Sequence, residues 1–334
     1  MNTDERELNL KSEIQNPKFK TALRFGGLLV FLLLAALSVA ILFGSEKLTF
    51  FELTEQQKTI LFDIRLPRIL LGATVGASLA LAGAGLQSLL RNPLAEPYLL
   101  GVSNGAALGT MLAFVFFSQI EFARPVMAFA GAALATFVVY QMAKSRAGMN
   151  VERLVLSGVI VTTFLSSIIV LLTSLVDATK LRSFTFWLLG DLSQATKNGF
   201  YLNFAAVLTG AFVLTRTARE LNLMMIGERD AMDFGVEVER TRLKVFATAS
   251  LLVGTAVAAS GSVGYVGLIV PHLIRLAMGS DNRLVIPFSA VAGAIFVVLA
   301  DTVARTAIAP RELPVGAITA LIGAPLFIYL LRKN

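Results

Sequence analysis

The sequence predicts an all-α integral membrane protein with ten transmembrane helices and both termini on the cytoplasmic side. Three observations carry this. Of 334 residues, 56% are hydrophobic and only 15% are charged, against roughly 25% charged in an ordinary soluble domain; the mean hydropathy is +0.74. Nine stretches free of Asp, Glu, Lys and Arg run for 17 residues or more, and one of them runs for 30. The basic residues divide unevenly between alternate connections, in the sense required by the positive-inside rule. The same composition excludes a soluble enzyme, a disordered chain and a secreted disulfide scaffold. With no cysteine, there is no disulfide, no thiol nucleophile and no cysteine metal cluster.

A helix needs roughly 20 apolar residues to cross the hydrocarbon core. The first stretch, 25–45, follows a cytoplasmic N-terminal segment, 1–24, that carries Arg6, Lys11, Lys18, Lys20 and Arg24. A cleaved signal has a core of only about 7–15 residues behind a short basic region, so this stretch reads as the first span. Stretches 69–90, 97–120, 125–143, 154–176 and 198–215 read as the next five. Run 245–274 is too long for one span and is interrupted by Gly261, Gly264 and Gly267, with Pro271 beyond. It reads as a full helix, a glycine-rich turn and a short helix ending near Gly279. Stretches 284–300 and 313–331 complete ten spans in a single transmembrane domain, 25–331. Arg332 and Lys333 follow the last stretch, so both termini are basic and the number of crossings should be even. Ten spans place 19 of the 29 Lys and Arg inside and 10 outside. The net charge of +7 is therefore topological and does not point to nucleic acid.

Residues 216–244 form the longest polar insert and fall on the cytoplasmic side. Within it Leu221, Leu223, Met224, Met225, Ile226, Ala231, Met232 and Phe234 are apolar. Their spacing predicts short helices separated at Gly227 and stopped at Gly235. Such a segment either rests on lipid headgroups or docks a cytoplasmic partner through an adaptable Met-rich face. The connection RNPLAEP, 91–97, reads as a tight turn. On the outer side, Arg65, Arg68, Arg305 and Arg311 run against the charge bias. They read as a solvated or lipid-contacting rim, or as positive posts for an acidic external partner. Small residues four apart (Gly72 and Gly76; Gly101, Gly105 and Gly109; Gly254 and Ala258) predict a dense bundle and not a wide pore.

Much chemistry is missing from the sequence. There is no G-x-x-x-x-G-K-[ST] loop for nucleotide phosphates, and no H-E-x-x-H. Residues 101–105, GVSNG, match the nucleophile-elbow pattern formally, but that motif needs a strand-to-helix turn, and Ser103 lies in an apolar helix. A Ser103–His272 dyad of an intramembrane protease is the one enzymatic alternative. Glu96, Asp177, Asp191 and Asp301 sit at span ends. No ionisable group is placed mid-span as the relay of an ion-gradient-driven secondary transporter, which is the other alternative.

Three long blocks then carry a resemblance. They are RLPRILLGATVGASLALAGAGLQSLLRNPLAEPYLLGVSNGAALG (65–109), SGSVGYVGLIVPHLIRLAMGSDNRLVIPFSAVAGAIFVVLADTVAR (260–305) and RELPVGAITALIGAPLFIYLL (311–331). The sequence resembles the FecCD family, the permease subunits of type II ABC importers for iron–siderophore complexes, haem and vitamin B12. The resemblance implies a homodimer in the bacterial cytoplasmic (inner) membrane, with the translocation path on its two-fold axis. It implies two cytoplasmic ATP-binding subunits that hold ATP and Mg, and one periplasmic or lipid-anchored substrate-binding protein. No catalytic residue, metal or cofactor would belong to this chain. Residues 220–238 correspond to the family's coupling helices, with Gly227, Glu228, Arg229, Ala231, Met232, Phe234 and Gly235 matching the pattern there. Arg65, Arg68 and Arg305 fall where the family presents arginines to glutamates on the binding protein. Met149, Asn150 and Val151 lie near the family's cytoplasmic gate, without the Thr-Ser pair of the vitamin B12 permease. An iron–siderophore complex is the first cargo expected, then haem, then cobalamin, moved by alternating access.

Overall fold

The computed structural model describes residues 17–44, 54–120, 122–145 and 148–333; most of the expected N-terminal segment lies outside them. The described chain is almost wholly helical. In order come α1 (Pro17–Leu42), α2 (Glu55–Leu89), α3 (Val102–Phe116), α4 (Ala123–Ala143), the two-residue strands β1 (Lys144–Ser145) and β2 (Gly148–Met149), and α5 (Val151–Thr173). There follow α6 (Ala178–Leu188), α7 (Lys197–Ile226), α8 (Glu228–Asp233), α9 (Val238–Ser260), α10 (Val266–Met278), α11 (Asn282–Thr306) and α12 (Val315–Lys333).

Helix α2 is the axis of the bundle. Nearly every residue of Leu66–Leu89 is buried, packed against α11, α7, α9 and α10. Its sequence explains this, because the run is mostly Ala, Gly and Leu and lets neighbouring backbones come close. At Gly83 a Cβ would overlap the carbonyl of Gly267 in α10, and at Gly76 that of Gly293 in α11. Before Pro67, which has no N–H to donate, the helix widens into a π turn, Ile60–Arg65, where Leu66 N donates to Leu61 O.

Among the described residues seven helices are long and apolar enough to cross a membrane, namely α1, α2, α4, α5, α7, α9 and α11. Helices α3, α10 and α12 are apolar but shorter, and the expected ten is reached only by counting them. The shortness of α10 is anticipated by the glycines. That of α3 is not: run 97–120, read as one span, begins with a 3-10 turn at Pro97–Leu100 and a left-handed Gly101 (φ 74°). Helix α6 is also absent from the sequence reading. It is capped by Asp177, which accepts from Lys180 N, and anchored by buried Phe184 and Trp187.

Between α9 and α10 the chain unwinds over residues 261–265, with left-handed backbone at Gly261 (φ 67°) and Tyr265 (φ 68°). Irregular backbone removed from water needs protein partners, and several are supplied here. Tyr98 Oη both donates to Val263 O and accepts from Val263 N, at 3.0 Å each. Asp191 N donates to Ser260 O at 2.7 Å. Glu96, expected at a span end, is folded back against this break and accepts from Tyr265 N at 3.2 Å.

Helices α1, α5 and α12 leave large apolar side chains open, among them Phe31, Phe164, Leu171, Leu321 and Tyr329. Such faces suit apolar surroundings, whether lipid or another apolar protein surface.

Candidate functional site

Two polar regions lie at opposite ends of α2. At its C-terminal end, the last turns of α7 are pinned by buried Leu221 and Met224. Gly227 then takes an extended conformation (φ −175°, ψ 146°) and α8 begins. Ala231 is fully buried and holds α8 to the bundle. Its N–H donates to Gly227 O, and Val236 N donates back to Ala231 O at 2.9 Å. Gly235 (φ 81°) ends the element where a side chain would be strained. Arg229, Asp230 and Asp233 are exposed, as are Ile226, Met232 and Phe234, the first and last of these at 75%. The predicted coupling residues thus divide by direction. Arg229, Met232, Phe234 and Gly235 face outward, and Ala231 faces the bundle.

Glu228, the first residue of α8, reaches back to the transmembrane helices. Its Oε1 pairs with Arg91, at 3.3 Å, and with the guanidinium of Arg242 in α9. Arg242 Nη1 also donates to Met149 O at 3.0 Å. One turn earlier on α9, Glu239 accepts from Met149 N through both carboxylate oxygens at 2.9 Å. Met149, Asn150 and Val151, the predicted gate segment, are therefore joined to α8 through Arg242. Met149 is 1% exposed, and Asn150 caps α5 by accepting from Arg153 N at 2.9 Å. Arg91, Glu239 and Arg242 were not singled out from the sequence. The i,i+3 spacing of Glu239 and Arg242 signals a shared helix face, but not what that face meets.

A second network fixes α7 one turn before α8. Asn222 Nδ2 donates to Asp281 Oδ1 at 2.7 Å, and its Oδ1 accepts from Asn282 N and Nδ2 at 2.9 Å. Asn282 is completely buried and receives Ser88 Oγ at 2.6 Å and Arg275 Nη2 at 3.2 Å. Hydrogen bonds from Arg283 first, then from Asn222, lower the carboxyl of Asp281 to a pKa of about 2.

At the other end of α2 the three predicted docking arginines are not the free positive posts the sequence suggested. Arg65, Arg68 and Arg305 are only 4%, 6% and 4% exposed. Arg68 grips Asp301 with Nε and Nη2 at 3.0 and 2.9 Å, and reaches Glu312 with Nη1 at 2.7 Å. Arg305 Nε lies 3.1 Å from Asp301 Oδ2, close enough for an ion pair but off the angle of a hydrogen bond. Its Nη2 donates to Ala40 O at 3.2 Å, and Arg65 Nη1 donates to Ile41 O at 2.8 Å. The physical reason is proximity across the fold. Asp301 and Arg305 lie one turn apart on α11, and α11 packs on α2, so the acid meets both arginines. Glu312 is the more open acid of the cluster, its side chain 34% exposed against 3% for Asp301. Arg311 is exposed, and a recess of about 310 Å³ opens beside Glu312, lined also by Arg182 and Asp191.

The protease alternative is not assembled. Ser103 Oγ donates to Ser262 Oγ at 3.2 Å, and His272 Nδ1 has no hydrogen-bond partner. Among the described residues no three His, Asp or Glu side chains gather as a metal site requires.

A bundle with an axial Ala/Gly helix, a broken helix pair and a short exposed helix on one face defines a multi-pass membrane permease. The chain belongs to the FecCD transport family, which it matches over residues 28–333, and it is a permease subunit of an ABC importer. It is 45% identical over 284 residues to the cobalamin import system permease BtuC of Halobacterium salinarum, covering 85% of this chain and 76% of that one. It is 36% identical over 329 residues to the hemin transport system permease HmuU of Yersinia pestis, covering 96% and 98%. A solved chain described as an inward-facing ABC transporter of metal-chelate type superposes with a TM-score of 0.84 at 33% identity, over 94% of this chain and 100% of that one. PsaBC of Streptococcus pneumoniae, at 16% identity and a TM-score of 0.59 over 83% of this chain and 98% of that one, shares the fold.

Proposed function

We propose that this permease works as a homodimer in the bacterial cytoplasmic membrane and moves a bulky metal-bearing cargo inward by alternating access. The cargo class is an iron–siderophore complex, haem or cobalamin. Two ATP-binding subunits, which hold ATP and Mg, dock on α8, and a substrate-binding protein caps the arginine-bearing face. The observation that carries this reading is α8 itself. A six-residue helix that exposes Met232, flanked by exposed Ile226 at the end of α7 and Phe234 at its own C-cap, among Arg229, Asp230 and Asp233, suits a protein groove, where an apolar anchor ringed by charge gives both affinity and register. Open faces on α5 and α12 supply surface for the second copy. Exposed Arg311, beside the partly open Arg68–Glu312 pair, supports docking of an acidic partner on this face, which would compete with Glu312 for Arg68.

Each partner shifts a two-state equilibrium only through its differential affinity for the two states. Binding of ATP draws the ATPase subunits together, α8 follows them, and accessibility passes from one face to the other. The test is uptake into proteoliposomes that contain the permease, its ATPase and its binding protein. Ferric siderophore, haem and cobalamin are offered separately, with and without ATP on the ATPase side. ATP-dependent accumulation of one of the three is expected. Accumulation driven by an ion gradient without ATP would refute the reading.

A further inference from the structure

Helix α8 is a poor lever by backbone alone. It is joined to α7 through an extended Gly227 and leaves through a left-handed Gly235 with open space around it. Glycine on both sides gives two soft joints. A push on such an element reaches the bundle only through side chains. Ala231 supplies packing. Among the charged residues of α8, Arg229, Asp230 and Asp233 are exposed, while Glu228 turns inward to Arg242 and Arg91.

Arg242 stands where three connections meet. One end of its guanidinium holds Glu228 of α8; another donates to Met149 O of β2, 3.0 Å away. Glu239, one turn earlier on the same face of α9, takes the N–H of that same residue. The two side chains thus do for Met149 what a neighbouring strand would do, accepting its N–H and donating to its C=O. Gly148 (φ 102°) is packed so tightly on Glu239 that a Cβ would come within 2.5 Å of its Oε2. Through Arg91, whose backbone is left-handed (φ 48°), Glu228 also holds the turn that leaves α2.

We infer that Arg242 is a positioning residue that locks α8 to strand β2 and the start of α5, so that displacement of the coupling helix moves the segment Met149–Val151 with it. Glu228 and Glu239 complete the link at its two ends. This rests on the reading of α8 as the ATPase-docking element and deepens it, naming the path by which that contact reaches the membrane helices.

The experiment uses the full complex in proteoliposomes with Glu228→Gln, Arg242→Gln, the double variant and Arg242→Lys. Three quantities are measured: cargo transported per ATP hydrolysed, co-purification of the ATPase subunits, and the melting temperature of the permease. Either single neutralisation should lower cargo per ATP about tenfold while the ATPase subunits stay bound. The double variant should be no worse than the poorer single, because both cut one link. Arg242→Lys should recover part of the coupling, since one ammonium keeps the charge but cannot serve Glu228 and Met149 O together. Should Arg242→Gln fail to fold, Glu228→Gln and Arg242→Lys carry the test. Wild-type coupling in the singles, a double defect equal to the product of the two, or loss of ATPase binding with Glu228→Gln would each overturn the link. The docking reading is tested separately by replacing Ile226, Met232 and Phe234 with Ser. Undiminished ATPase binding there would overturn the docking reading, whatever the link variants do.

Discussion

Asp301 is the residue whose removal the structure prices most clearly. It is 2% exposed and answers two guanidinium groups, Arg68 and Arg305, that are themselves buried. Substitution to Ala leaves those groups unequally provided for. Arg68 keeps Glu312 at 2.7 Å, whereas Arg305 keeps only Ala40 O at 3.2 Å and a marginal contact with Thr302 Oγ1 at 3.5 Å. Removing one partner of a buried ion pair costs about 3–5 kcal/mol. Because Arg68 is partly compensated, the lower figure applies, about 3 kcal/mol. Chains of 150–250 residues lose roughly 2–4 °C of melting temperature per kcal/mol. For this longer chain the low end gives a fall of about 6 °C, read from the unfolding of the detergent-solubilised permease. Asp301→Asn keeps an acceptor and should lose about half as much. The decisive variant is the pair Asp301→Leu with Arg305→Met, which removes the stranded charge together with the acid and should melt above Asp301→Ala. If Asp301→Ala melts within about 1 °C of wild type, or the pair melts lower than the single, then an unpaired buried charge is not what the substitution costs.

Other outcomes follow from the same geometry. Glu312→Gln frees one edge of Arg68 at a carboxylate whose side chain is 34% exposed, and should tighten binding-protein docking by about twofold to fivefold, the worth of a partly screened pair; unchanged or weaker docking in a titration would refute the role proposed for these arginines. Gly83→Leu places a side chain where Gly267 O lies, so α2 and α10 must part. A loss of about 1–3 kcal/mol should appear as reduced yield and a lower melting temperature, and wild-type stability would refute the close crossing. The carboxyl of Asp281 is lowered to about 2 by Arg283 and Asn222, below the ordinary value of about 3.9. A lowered folded-state pKa contributes stability that is present above the unfolded value and lost as pH falls through the folded one. Asp281→Asn should therefore melt lower than wild type at pH 7, with the gap closing between about pH 4 and pH 2; a gap independent of pH would contradict the pairing.

The membrane class and the helix order were legible in the sequence because both follow from single-residue transfer free energies and from where charges interrupt apolar runs. The break after Ser260 was legible too, since glycines at 261, 264 and 267 cannot sustain a long span. So was α8, flanked by Gly227 and Gly235. What the sequence determined by itself is thus local: which stretches are apolar, where the chain must turn, and which contiguous blocks match a known family. Helix α6 and the 3-10 entry to α3 were not legible, because amphipathic packing of Phe184 and Trp187 and the left-handed Gly101 draw on neighbours distant in sequence.

The partners of charged residues were decided only by the tertiary structure. Arg68 and Asp301 are 233 residues apart, and Arg242 meets a carbonyl 93 residues away. Such pairings depend on which helix faces which, and that is set by small-residue crossings such as Gly76 on Gly293. Arginines that looked like free posts on the sequence became a buried cluster for this reason. A charge has no intrinsic period or propensity that reveals its partner; only the packed bundle brings donor and acceptor within hydrogen-bonding reach.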